Sequence, residues 1–143
     1  MKEYYEKNKI KTIDRVKVWR ENNPEKTNET QRNYRKTIPH IVAWRNVLRG
    51  VLTRMGKKKE GHTIDLLGYS ALELKNHMES LFTDGMSWTN HGEWHIDHII
   101  CVINFDENTP MNIVNALQNL RPLWATTREI NGVIYEGNLN RPS

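Results

Sequence analysis

Trp94-His95-Ile96-Asp97-His98-Ile99-Ile100 is the stretch whose reading decides the fold. It is rich in β-branched and aromatic residues, holds no glycine or proline, and reads as a strand. A long loop containing Pro110 separates it from Asn119-Leu120-Arg121-Pro122-Leu123-Trp124, read as the neighbouring strand. The first run is also where chemistry-bearing side chains gather, since His77, His91, His95 and His98, four of the six histidines, lie between residues 77 and 98. Asp97 and His98 sit side by side. Hydrolysis of a phosphodiester needs a base to activate water and a hard cation to stabilise developing charge. A carboxylate oxygen is a natural ligand for Mg²⁺ or Mn²⁺, and an imidazole can take a proton from water near neutral pH. The base must be held in one tautomer, and Asn119 on the neighbouring strand is a candidate partner.

Working outward, Ile41, Trp44, Leu48, Leu52 and Met55 recur at three- and four-residue intervals and predict an amphipathic helix from Ile38 to Met55. Arg45, Arg49 and Arg54 project elsewhere around it and, with Lys57, Lys58 and Lys59, form a basic ridge placed for DNA. Gly56 and Gly61 end that helix. Ser70-Ala71-Leu72-Glu73 is a capping box that opens a second helix with Leu74, Met78 and Leu81 as its buried face, and Asp84-Gly85 marks the turn out.

Residues 1 to 36 are polar and charged, with Ile10, Ile13, Val16 and Trp19 as one narrow helical stripe that Pro24 stops. So thin a stripe buries little area, and the segment alone is expected to be partly disordered. Its functional reading is a basic arm along phosphates, with Arg15, Lys17, Arg20, Arg32, Arg35 and Lys36 as contacts.

Charge separates the two halves. Of 143 residues, 21 are Lys or Arg and 17 Asp or Glu, but residues 1 to 60 carry a net +10 and residues 61 to 143 a net −6. A basic half of this kind faces a polyanion, and an acidic half rich in His and Asn suits metal binding or proton transfer. Eight glycines exclude a collagen-like chain. A mean hydropathy of −0.76 and the lack of an apolar run near the roughly 18 residues of a spanning helix argue against a membrane protein. The single Cys101 excludes an internal disulfide framework. With no signal-peptide pattern at its start, the chain is expected to be soluble and cytoplasmic.

The stretch from Leu67 to Ile100, which contains Leu67-Gly68-Tyr69, Gly85-Met86-Ser87-Trp88 and Trp94-His95-Ile96-Asp97-His98, followed by Asn119 to Ala125, resembles the HNH endonucleases of tailed phages and prophages. The resemblance covers about half the chain. It implies a fold in which two strands and a helix clasp one divalent metal, the ββα-metal fold. It also implies that His98 is the general base, Asp97 the first metal ligand, Asn119 the central asparagine that orients the base or braces its loop, and His95 a supporting residue. The chain departs from the family at Arg128, where an Asn or His ligand is usual and a cation cannot bind metal. Two repairs are open. In one, residues 128 to 136 are an inserted hairpin around Asn131-Gly132, a type I′ turn signal, and Asn138 resumes the ligand pattern. In the other, Thr126-Thr127-Arg128-Glu129 caps a short helix and Asn131 is the ligand. The alternation and the resumed motif favour Asn138.

The expectation is therefore an α+β protein with a basic helical DNA-binding region at residues 1–60 and an HNH nuclease module at residues 61–143. It would cut double-stranded DNA with one Mg²⁺ or Mn²⁺, as a monomer, in the role of a free-standing phage homing or nicking endonuclease, with no membrane partner. The alternatives are a catalytically inactive DNA-binding protein of the same fold and a prophage nuclease aiding DNA packaging.

Overall fold

The computed structural model describes residues 2–138. The architecture is α+β, and the chain divides into two compact units, Met1–Ile38 and Pro39–Ser143.

The first unit is a pair of helices, α1 (Lys2–Asn22) and α2 (Pro24–Thr37). The break falls where the sequence places it. Proline at the first position of α2 costs nothing there because that N–H has no intrahelical partner, and the Asn23 side-chain amide donates to the Trp19 carbonyl at 2.8 Å, closing the end of α1. Neither helix contributes a buried side chain, and Ile10, Ile13, Val16 and Trp19 remain at least 40% exposed. These helices supply no core of their own, and the segment that the sequence suggests is partly disordered is described as two continuous helices.

The second unit begins with α3 (Pro39–Arg54), then α4 (Thr63–Leu67), α5 (Ala71–Leu81), strand β1 (Trp94–His98), α6 (Met111–Val114), β2 (Leu120–Trp124) and the hairpin β3 (Arg128–Ile130) and β4 (Val133–Tyr135). The sequence-based boundary at residue 60 groups α3 with the basic arm, whereas the structure packs it against α5 and the β1–β2 pair. Leu48, Val51 and Leu52 of α3 lie in one buried cluster with Leu74 and Met78 of α5, Trp94 of β1 and Leu120 and Trp124 of β2. Burying such side chains is worth roughly 2 kcal/mol each, enough to override the charge pattern that suggested the other boundary. Helix α5 starts at the anticipated capping box, with the Ser70 Oγ accepting from the Glu73 N–H and Glu73 Oε2 accepting from the Ser70 N–H at 2.6 Å. Its buried face is Leu74 and Met78 only. Leu81 is exposed at the helix end, and Phe82 turns into an aromatic cluster instead.

Strands β1 and β2 pair antiparallel with Trp94 opposite Trp124, His95 opposite Leu123, Asp97 opposite Arg121 and His98 opposite Leu120. The strand stops at His98, two residues short of the predicted Ile100. The cause is Asn119, whose carbonyl accepts from the Ile99 N–H and whose side chain accepts from the Ile100 N–H, drawing the chain off the ladder. Among the described residues no helix is long and apolar enough to cross a membrane.

Candidate active site

The position of β1 is set at its first residue. The Trp94 ring is fully buried, touches Phe82, Trp88 and His91 at centroid distances of 4.6 to 5.1 Å, and donates from Nε1 to the Ser87 carbonyl at 2.7 Å. At the far end, Asn119 makes three side-chain bonds. Oδ1 accepts from the Ile100 N–H at 2.7 Å, and Nδ2 donates to the carbonyls of Val114 at 2.9 Å and Ile100 at 3.3 Å. Asn119 thus braces the turn that follows β1.

Asn115, which the sequence reading did not single out, is the residue that holds His98. Its Oδ1 stands 2.7 Å from His98 Nε2. A carbonyl oxygen only accepts, so Nε2 carries the proton and Nδ1 keeps the lone pair that a general base uses. Asn115 is itself fully buried. Its N–H donates to the Met111 carbonyl, and its carbonyl accepts from the Tyr69 hydroxyl at 2.7 Å. Burial pushes the Tyr69 hydroxyl well above the ordinary tyrosine value, which keeps it a donor. No local signal marks Asn115, which follows α6 just outside the helix. Composition alone gives no reason to prefer it among the asparagines of that loop.

His98 and His95 open onto a cleft of about 260 Å³ between β1 and α3, whose other lining residues include His91, Asn46, Gly50 and Arg54. Burial, and secondarily the neighbouring His95, pulls the His91 imidazole below its ordinary value, so it stands neutral at pH 7. Among the nominated DNA contacts, Arg54 thus shares the cleft of the candidate base. Arg45, Arg49, Lys57 and Lys59 line a separate hollow of about 150 Å³ together with the hydroxyl-bearing Thr53 and Thr63. Lys57 also donates to the Glu107 carbonyl, while Lys58 is exposed. In the first unit, Arg15, Lys17 and Arg20 on α1 and Arg32, Arg35 and Lys36 on α2 are all exposed, the last three at the i, i+3, i+4 spacing of one helix face.

Asp97 is held across the sheet by Arg121, whose Nε donates to Oδ2 at 3.1 Å. Arg128 opens a hairpin. Residues 128–130 and 133–135 form the hairpin, with Asn131 at φ 53° and Gly132 at φ 80°, both in the left-handed region a type I′ turn requires. Arg128 lies over the Trp124 ring at 3.8 Å, a cation–π contact. The chain then returns to where it left. The Gly137 N–H donates to Thr127 Oγ1 at 3.0 Å, the Asn138 N–H donates to the Trp124 carbonyl at 2.8 Å, and a Cβ on Gly137 would fall inside the backbone of Thr126 and Thr127. The backbone of Asn138 thereby meets the end of β2. The capping-box helix on Thr126 does not form, and Asn131 shapes the turn. Residues 139–143, which include Arg141 and the short helix expected after Asn138, lie outside the described residues.

Among the described residues no three His, Cys, Asp or Glu side chains converge as a metal cage. Mg²⁺ is commonly held by one or two protein oxygens with water and substrate phosphate completing its shell. The Asp97 carboxylate and the Asn138 amide are donors of that hard-oxygen class, so the residue types fit the cation the resemblance implies.

No family model and no solved structure matches the chain. It is similar to "Uncharacterized protein L426" of Acanthamoeba polyphaga mimivirus, 28% identical over 145 residues that cover 89% of this chain and 63% of that protein. The chain thus spans less than two thirds of the length of this curated relative.

Proposed function

We propose that the protein is a metal-dependent DNA endonuclease of the HNH type, with the ββα-metal module in its second unit. The observation that carries the reading is the His98 imidazole in the cleft, its Nε2 proton fixed by the buried Asn115 so that Nδ1 is the basic nitrogen. His98 Nδ1 removes a proton from a water molecule, the resulting hydroxide attacks the phosphorus, a P–O ester bond breaks, and the leaving oxygen takes up a proton from solvent. A bound Mg²⁺ or Mn²⁺ would supply charge stabilisation, and Asp97 with Asn138 would hold it. Exposed cations in both units hold the flanking backbone without reading its sequence. The biological role that the resemblance suggests is a free-standing phage homing or nicking endonuclease, with DNA packaging as the competing setting.

The rival is a chain that binds DNA without cutting it, and the Asp97–Arg121 ion pair favours it by giving the carboxylate a protein partner. Arg128 does not by itself favour it, because its guanidinium lies over the Trp124 ring within the hairpin, although its Nε is buried without a hydrogen-bond partner among the described residues. Incubating the full chain with supercoiled plasmid and Mg²⁺, Mn²⁺ or EDTA separates the two. Nicked or linear product that EDTA abolishes supports the nuclease, and intact plasmid with retained binding supports the rival.

A further inference from the structure

Gly50 lies inside α3, where glycine is the poorest helix former after proline. The usual reasons for a glycine do not apply to it. Its φ is not positive, and a Cβ built on it would meet nothing within 4 Å, so no neighbouring side chain or backbone requires the space. Gly50 does line the cleft that holds His95 and His98. Asn46 and Arg54 stand one turn to either side of it at i−4 and i+4, so the three share a helix face, and all three line the same cleft. This wall offers an amide, a bare stretch of backbone surface and a guanidinium. Among the described residues, Arg54 is the one permanently charged side chain lining the cleft.

We propose that the Asn46–Gly50–Arg54 face of α3 is a substrate subsite that seats a single phosphodiester and its sugar against His98, and that Gly50 is bare so that the nucleic-acid backbone can lie on the helix. Arg54 holds the phosphate charge with its planar fork of donors, and Asn46 donates to a sugar or phosphate oxygen. This deepens the nuclease reading and rests on it for the catalytic role of His98, but binding at the subsite is measurable without catalysis.

The test uses the full chain and the dinucleoside monophosphate of thymidine as probe, followed by NMR shifts and by plasmid cleavage. The expected result is saturable shifts at Asn46, Gly50, Arg54 and His98, with affinity lowered at least tenfold in Gly50→Leu and in Arg54→Gln and by a smaller, measurable factor in Gly50→Ala. Gly50→Ala should melt no lower than wild type, since the added Cβ meets open space and alanine favours the helix more than glycine does, and the melt of Gly50→Leu is measured alongside it. If Gly50→Leu melts lower, the comparison moves to Arg54→Gln, which leaves the helix intact. Probe shifts elsewhere, or unchanged affinity and cleavage in folded Gly50→Leu and Arg54→Gln, would overturn the subsite while leaving the nuclease reading in place. Subsite binding as described in a chain that cuts no DNA would overturn the nuclease reading and leave the subsite standing.

Discussion

Replacing Asn115 and Asn119 one at a time by alanine should separate activity from stability. Asn115→Ala removes one strong side-chain bond, the 2.7 Å contact to His98 Nε2. The backbone bonds of residue 115 to Met111 and from Tyr69 do not involve its side chain and should persist. In the reaction the imidazole becomes positively charged, which strengthens a bond worth about 1 kcal/mol to about 2–3 kcal/mol, a difference of about 1–2 kcal/mol. At roughly 1.4 kcal/mol per tenfold, kcat should fall roughly 5- to 30-fold. KM should hardly change, because Asn115 is buried away from DNA. Asn119→Ala instead strips the Ile100 N–H and the Val114 carbonyl of their partners. With an unsatisfied buried group costing about 1–3 kcal/mol, the unit should lose about 2–4 kcal/mol and its melting midpoint should fall by roughly 10 °C or more. The assay is steady-state plasmid cleavage alongside thermal melts of both variants. Wild-type kcat in Asn115→Ala, or an Asn119→Ala variant that melts like wild type yet is inactive, would refute the division of labour and return the orienting role to Asn119.

Three further outcomes are expected. Removing residues 1–38 takes away 11 of the 21 basic side chains; the loss of six phosphate contacts at about 0.9 per contact should flatten the slope of log K against log salt by roughly five, and an unchanged slope would make the arm a solvated helix pair only. Asn138→Ala should weaken Mg²⁺-dependent cleavage far more than Asn131→Ala, whose cost should appear in the melt, because Asn138 adjoins the end of β2 while Asn131 holds a positive-φ turn position; equal effects on cleavage would count against Asn138 as a ligand. His91 has a lowered folded value, so below the ordinary 6.5 the unfolded chain binds a proton that the folded chain does not. Stability from this group is therefore complete above that pH and declines as pH falls through it, and His91→Phe should flatten the decline in pH-dependent melts.

The elements legible in the sequence were those with local chemical signals. Pro24 after two asparagines, the Ser70–Glu73 box and Asn131-Gly132 each act within four residues, and each appears where expected. The α3 stripe was legible as a helix because its period is a local property, but its allegiance was not, since Leu48 and Val51 find Leu74 and Trp94 only across the fold. Charge, which suggested the boundary at residue 60, says little about packing when the charges project away from the buried stripe. At the site, Asp97, His98 and Asn119 stood out by motif. Asn115 did not, because its role depends on a loop path set by α6 and by the Tyr69 hydroxyl, 46 residues earlier in sequence. The pairing of Asp97 with Arg121 likewise needed the strand register, which places them opposite each other.

The central claim is that His98 is the base of a DNA-cutting site, and the direct measurement is single-turnover plasmid cleavage by wild type and His98→Ala with Mg²⁺, with DNA affinity measured on the same preparations. The account predicts metal-dependent cleavage by wild type and its loss in His98→Ala at nearly unchanged affinity, since a base acts in the transition state and contributes little to ground-state binding. Cleavage by His98→Ala at the wild-type rate would contradict it, as would a wild-type chain that binds plasmid and leaves it intact with both Mg²⁺ and Mn²⁺.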